Sequence, residues 1–265
     1  MFNFEFMQNA YLAATVIAIL CGIIGVFVIA RNMSFLTHTL SEIGFAGASF
    51  GVFMSWPPLN GMLLFTTVSS IIVGQLSVKP ARRENVISAI SALFIGLGIL
   101  FLSLSNKNAS YATNILFGSV IGISRADVWQ ISLLSIVVLA VIFVIFRYLK
   151  FDSFDPVGAQ VKGVNKQILS IVFLILLAFS VSVAAQIVGS LLIFILLTIP
   201  AAVAKYFART VGGMMLLAVI IALIGVWLGL YLSYVTNLPV SFFIATIEAL
   251  FYFGALLTQG SQKSV

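Results

Sequence analysis

From Tyr11 to Ala30 the chain runs for twenty positions without a charged residue, and comparable runs recur to within a few residues of its end. A helix rises 1.5 Å per residue, so each such run matches the roughly 30 Å hydrocarbon thickness of a bilayer. Helical spans are expected near 10–30, 35–56, 60–78, 86–104, 127–147, 167–185, 187–204, 211–233 and 239–258. That makes nine, or eight if the two segments meeting between Val183 and Gly189 form one bent element. Asn114 to Ile123 reads as a re-entrant segment. Pro57, Pro58, Pro80, Pro156 and Pro239 all fall at expected helix ends or loops, as proline's missing N–H requires.

With 62% hydrophobic and 8% charged residues and a mean hydropathy of +1.22, the chain has far more apolar surface than one aqueous core can bury. The fold class expected is therefore an all-α, polytopic membrane protein of eight to nine transmembrane helices, with residues 1–265 forming a single transmembrane domain. The first run lacks a small-residue cleavage pattern and reads as a retained span rather than a signal peptide. The lone Cys21 excludes a disulfide framework and a thiolate metal cluster. No stretch between spans exceeds about 25 residues, too short for a soluble domain, and no GxxxxGK[ST] phosphate loop occurs. Energy for any transport must come from a partner or an ion gradient.

The net charge of +6 belongs to membrane topology rather than to nucleic acid. With the N-terminus outside, the inner face receives Arg31, Lys79, Arg82, Arg83, Arg147, Lys150, Lys162, Lys166, Lys205, Arg209 and Lys263; Lys107 and Arg125 stay outside. The C-terminus is then cytoplasmic.

Polar groups inside such spans need a reason. In "HTLSEIGFAGASFG" the only histidine, His38, precedes Glu42 by four positions, so both side chains share one helical face about 6 Å apart. An imidazole nitrogen beside a carboxylate oxygen suits zinc or manganese, whereas magnesium and calcium favour all-oxygen shells. The plainer alternative is that the two simply hydrogen-bond each other. Gly44, Ala46, Gly47, Ala48 and Gly51 form a small-residue surface for close helix packing. Glu248 is either a secondary path residue or is hydrogen-bonded to a neighbouring helix. The 24 phenylalanines and seven methionines read as lipid-facing and packing residues.

The longest inner connection, "RYLKFDSFDPVGAQVKGVNK", suits a short helix starting at Pro156 with Asp155 as its N-cap. Val157, Ala159 and Val161 would then face a cytosolic partner; the alternative is an ordinary amphiphilic loop. Here "FDPVGAQVKGV" resembles the coupling segment of the permeases of metal-type ABC importers, with Phe154, Asp155, Pro156, Ala159 and Gly163 matching. "CGIIGVFVIARNMSF" resembles the same family's first-span exit, and "VGSLLIFILLTIPAAVA" its VGxLL…PAAxA block. The three occur in the family's order and span nearly the whole chain.

The resemblance implies the membrane subunit of a zinc or manganese importer in the plasma membrane, working as a homodimer. It also implies two cytosolic ATPase subunits docked near 151–166 and an extracytoplasmic metal-binding protein. The metal is cargo rather than a permanently bound cofactor, and the chain itself is no enzyme. In that family the second span carries a D-x-L-S-H pattern lining the metal path; His38-Thr39-Leu40-Ser41-Glu42 keeps the spacing and exchanges the order. A rival reading is a secondary transporter driven by protons through His38, Glu42 and Glu248, without an ATPase. An intramembrane enzyme is disfavoured, since one histidine without a Ser-His dyad or HExxH motif offers little chemistry.

Overall fold

The computed structural model of the chain describes residues 4–75, 80–105, 115–118, 123–190 and 193–262. Among these are ten helices: α1 (Glu5–Ala30), α2 (Ser34–Phe53), α3 (Pro58–Gln75), α4 (Pro80–Leu104), α5 (Arg125–Phe154), α6 (Pro156–Val161), α7 (Lys166–Val188), α8 (Ile193–Phe207), α9 (Val211–Thr236) and α10 (Val240–Gln262). Nine correspond to the expected spans, and α6 is the short helix expected at Pro156. The fold is all-α and polytopic.

Helix ends depart from the apolar runs for identifiable reasons. Hydropathy marks where lipid ends, not where hydrogen bonding stops, and so α5 continues past Arg147 to Phe154. α2 stops at Phe53 rather than at 56, because Ser55 is left-handed (φ +59°) and Pro57 follows. The two segments near Val183 are separate helices whose break falls at Gly189, where φ is +89°, and α8 starts at Ile193 instead of 187. Within the expected re-entrant segment, 115–117 form a helical turn, and Ser190 N–H donates to the Ile115 carbonyl at 3.0 Å. Residues 114 and 119–122 of that segment, like Lys79, Lys107 and Lys263 of the charge argument, lie outside the described residues.

Two ion pairs fix the direction of the bundle. Glu5 and Arg125, where α1 and α5 begin, meet at 2.9 Å, while Arg31 and Asp152, where they end, meet at 2.5 Å. The two helices therefore run parallel. α1 and α7 form the centre, with 67% of the most apolar stretch of each buried, against 11% for α4. Phe27 of α1 meets Phe146 of α5 and Phe173 of α7 edge-on, while Trp129, Phe143 and Leu257 point outward. Phenylalanine thus serves both core and periphery.

Among the described residues six helices are long and apolar enough to cross a membrane, and α3 and α8 are shorter apolar helices. α2 falls in neither group, because its interior holds polar side chains. Thr37, Thr39 and Ser49 are buried and donate to carbonyls one turn back in the same helix. α3, α4, α7 and α8 all pack against α2. A Cβ at Gly47 would collide with the Gly61 carbonyl of α3, and one at Gly61 with the Gly47 carbonyl. The small-residue surface is thus a packing surface, and α3 is tied onward to α7 by a 2.9 Å hydrogen bond between the Thr66 and Ser182 hydroxyls.

Candidate metal site and coupling segment

α2 is launched by a tight turn. Asn32 adopts φ +52°, which asparagine tolerates, and Met33 N–H reaches back to the Val28 carbonyl at 2.9 Å. One turn into α2, His38 Nδ1 stands 3.5 Å from Glu42 Oε1, with the side chains 39% and 12% exposed. Neighbouring helices fix both groups. Ser91 of α4 donates its hydroxyl to Glu42 Oε2, and Phe194 of α8 meets the imidazole edge-on at 4.8 Å between ring centres. In the tautomer carrying its proton on Nδ1, toward Glu42, the imidazole keeps the Nε2 lone pair for a cation.

Among the described residues no group of three or more His, Cys, Asp or Glu side chains gathers to hold a metal. Glu248 lies apart, in α10, fully buried and with no hydrogen-bond partner for either carboxylate oxygen. Of the two alternatives for Glu248, a hydrogen bond to a neighbouring helix is not found among the described residues. Its Oε1 instead rests where Gly225 of α9 has no side chain, so the neighbour offers only backbone already engaged in its own helix.

At the opposite end of α5, Asp155 accepts from Gly158 N–H at 3.0 Å and Pro156 opens α6, as the sequence implied. Gly163 (φ +73°) ends the segment, and Asn165 caps α7 by accepting from Ile168 N–H at 3.1 Å. Val157 and Val161, four residues apart, share one face and are 75% and 84% exposed; Phe154 is 47% exposed. Ala159 corrects the sequence expectation. It points the opposite way and is buried, because a residue two positions along a helix turns about 200°. Arg147, Lys150, Phe151, Phe154, Asp155 and Lys162 line a crevice of about 660 Å³ beside α6.

Asp152 and Arg31 were not foreseen as a pair. They are nearly buried and joined through Arg31 Nη2, and the guanidinium lies 5.1 Å from the Phe173 ring centre. Burial lowers the Arg31 pKa from its ordinary value, and the Asp152 charge pulls it back up. Ser91 and Phe194 also escaped the sequence reading, since i,i+4 spacing reports contacts within a helix and never between helices.

Residues 3–259 match the ABC 3 transport family. The manganese import system permease protein ScaB of Streptococcus parasanguinis is 31% identical over 251 residues, 94% of this chain and 89% of ScaB. The high-affinity zinc uptake system membrane protein ZnuB of Buchnera aphidicola is 28% identical over 240 residues, 90% of this chain and 92% of ZnuB. Among solved structures, PsaBC from Streptococcus pneumoniae in complex with Fab superposes with a TM-score of 0.86 at 27% identity, covering 95% of this chain and 91% of that one.

Proposed function

Since this chain belongs to the ABC 3 transport family, we propose that it is the transmembrane permease subunit of an ATP-driven importer of divalent transition metal, zinc or manganese. The observation that carries the metal assignment is the His38–Glu42 pair, an imidazole held with its Nδ1 3.5 Å from a carboxylate oxygen, on a helix less apolar than the six candidate spans among the described residues. Two ligands per chain make half a site. A second copy, related by a twofold axis, would bring the protein ligands to four, the number zinc takes, and would still let the ion leave when the copies part. The named relatives divide between manganese and zinc, and a mixed nitrogen and oxygen donor set suits both.

The exposed Val157–Val161 face of α6, with Phe154 and the cationic rim beside it, is the surface for a cytosolic ATPase, one bound to each copy. An extracytoplasmic binding protein would deliver metal from the other side. In this arrangement the N-terminus is outside, consistent with Arg125 sharing an end with Glu5, and the C-terminus is cytoplasmic. ATP hydrolysis in the partner would alternate the access of His38 and Glu42 while this chain performs no covalent chemistry. The test is metal uptake by cells lacking their own importers and supplied with this chain, with and without the ATPase, compared across zinc, manganese and iron. Equal uptake without the ATPase would sink the ATP-driven reading and favour a proton-coupled carrier.

A further inference from the structure

The importer reading leaves one step without a structural carrier: how movement at α6 reaches a metal site on a different helix. The supports of α6 and α2 meet at one buried ion pair, Arg31 with Asp152. Asp152 sits in the last turn of α5, three residues before the Asp155 cap of α6. Arg31 sits in the turn that launches α2, three residues before Ser34 and seven before His38. The two side chains meet at 2.5 Å with 3% and 7% of their surfaces exposed, respectively. Among the described residues Arg31 Nη1 is buried with no hydrogen-bond partner, and the guanidinium is held by Asp152 and the Phe173 ring face.

The other contacts between α1 and α5 include apolar ones such as Phe27 on Phe146, which slide at little cost. A charge pair taken out of water behaves differently, because its energy rises steeply with separation and neither partner finds a substitute. The turn it grips is also stiff, with left-handed Asn32 and the Met33-to-Val28 hydrogen bond leaving little slack before α2. We propose that the Arg31–Asp152 pair is the link through which displacement of the coupling segment moves the base of α2 and resets the access of His38 and Glu42. Both are positioning residues, touching neither metal nor nucleotide, and the inference rests on the importer reading above.

Removing one partner would strand a buried charge, so the informative variant replaces both: Arg31→Met with Asp152→Leu, which conserves bulk and usually preserves stability. The assay uses the full assembly of permease, ATPase and binding protein in proteoliposomes, with a single cysteine at Phe35, 44% exposed beside the site, in a Cys21→Ser background. The Met/Leu variant is expected to copurify the ATPase and hydrolyse ATP within about twofold of the unaltered chain, while metal moved per ATP falls about tenfold. ATP is expected to change the thiol-labelling rate at position 35 in the unaltered chain and to leave it unchanged in the Met/Leu variant. The exchange Arg31→Asp with Asp152→Arg should recover the response. Unchanged transport per ATP and unchanged labelling response in the Met/Leu variant would overturn the link, as would loss of ATPase binding, which would make the pair a docking scaffold. Failure of the unaltered chain to copurify any ATPase would instead bring down the importer reading, and the link with it.

Discussion

Glu42 and Glu248 are the same residue type on two helices, α2 and α10, and their surroundings differ. Glu42 keeps a hydroxyl donor on one oxygen, an imidazole by the other and 12% of its side chain exposed. Glu248 has no donor and no exposure, and fills the space left by Gly225. Glu42→Gln keeps the shape and the Ser91 contact while removing the charge that offsets desolvation of a dication, so uptake is expected to fall by about tenfold or more. Near-normal uptake, with expression checked in parallel, would reduce the pair to a structural contact. Exchanging donors, His38→Asp with Glu42→His, keeps both ligand types on one face and reverses their depths. That variant is expected to retain part of the transport and to change the ratio of zinc to manganese taken up, measured by isotope competition. Spacing alone exposed His38 and Glu42, because i,i+4 is a property of one helix. The Ser91 and Phe194 partners depend on how α4 and α8 rotate toward α2, which no local pattern encodes.

α2 and α3 approach until only glycine fits at their crossing, and α6 depends on a single cap for its first turn. Gly47→Ala would press a methyl group onto a carbonyl with no room to give, lowering stability in a detergent thermal-unfolding assay by about 1–3 kcal/mol. Gly96→Ala on α4, where an added Cβ meets nothing within 4 Å, should be neutral or stabilise by up to about 1 kcal/mol. Equal behaviour of the two would contradict the crossing. Asp155→Ala with Pro156→Ala removes both the cap and the pre-set first φ of α6, about 1 kcal/mol of local order. Insertion should survive, while ATPase recovered by affinity pull-down falls. Helices were legible here because lipid enforces long apolar runs, and α6 because Asp-Pro announces a helix start. The ends were less so: α5 outruns its apolar stretch by two turns, and the α7–α8 break falls at Gly189, the last residue of the expected range, because a positive φ depends on chain geometry that hydropathy does not register.

Across the whole molecule, the parallel course of α1 and α5 and the distribution of basic residues make a joint claim about sidedness. A single cysteine at Asn237, exposed at the end of α9, should react with a membrane-impermeant thiol reagent in intact cells. One at Val161 should react only after permeabilisation; labelling there in sealed cells would invert the proposed orientation. Buried Cys21 is expected to stay silent in both preparations. α2 carries one more consequence, for how the chain is made. An ionised residue at mid-membrane costs about 3 kcal/mol on translocon-based scales, and the helix bearing His38 and Glu42 does not reach the apolarity of the spanning helices around it. The three-residue turn after α1 delivers it as the second arm of a hairpin, before Gly61 of α3 and Ser91 of α4 have left the ribosome. α2 should therefore linger at the translocon until those later helices arrive, so the helix carrying the proposed metal ligands, although made second, should be among the last of the N-terminal helices released into lipid.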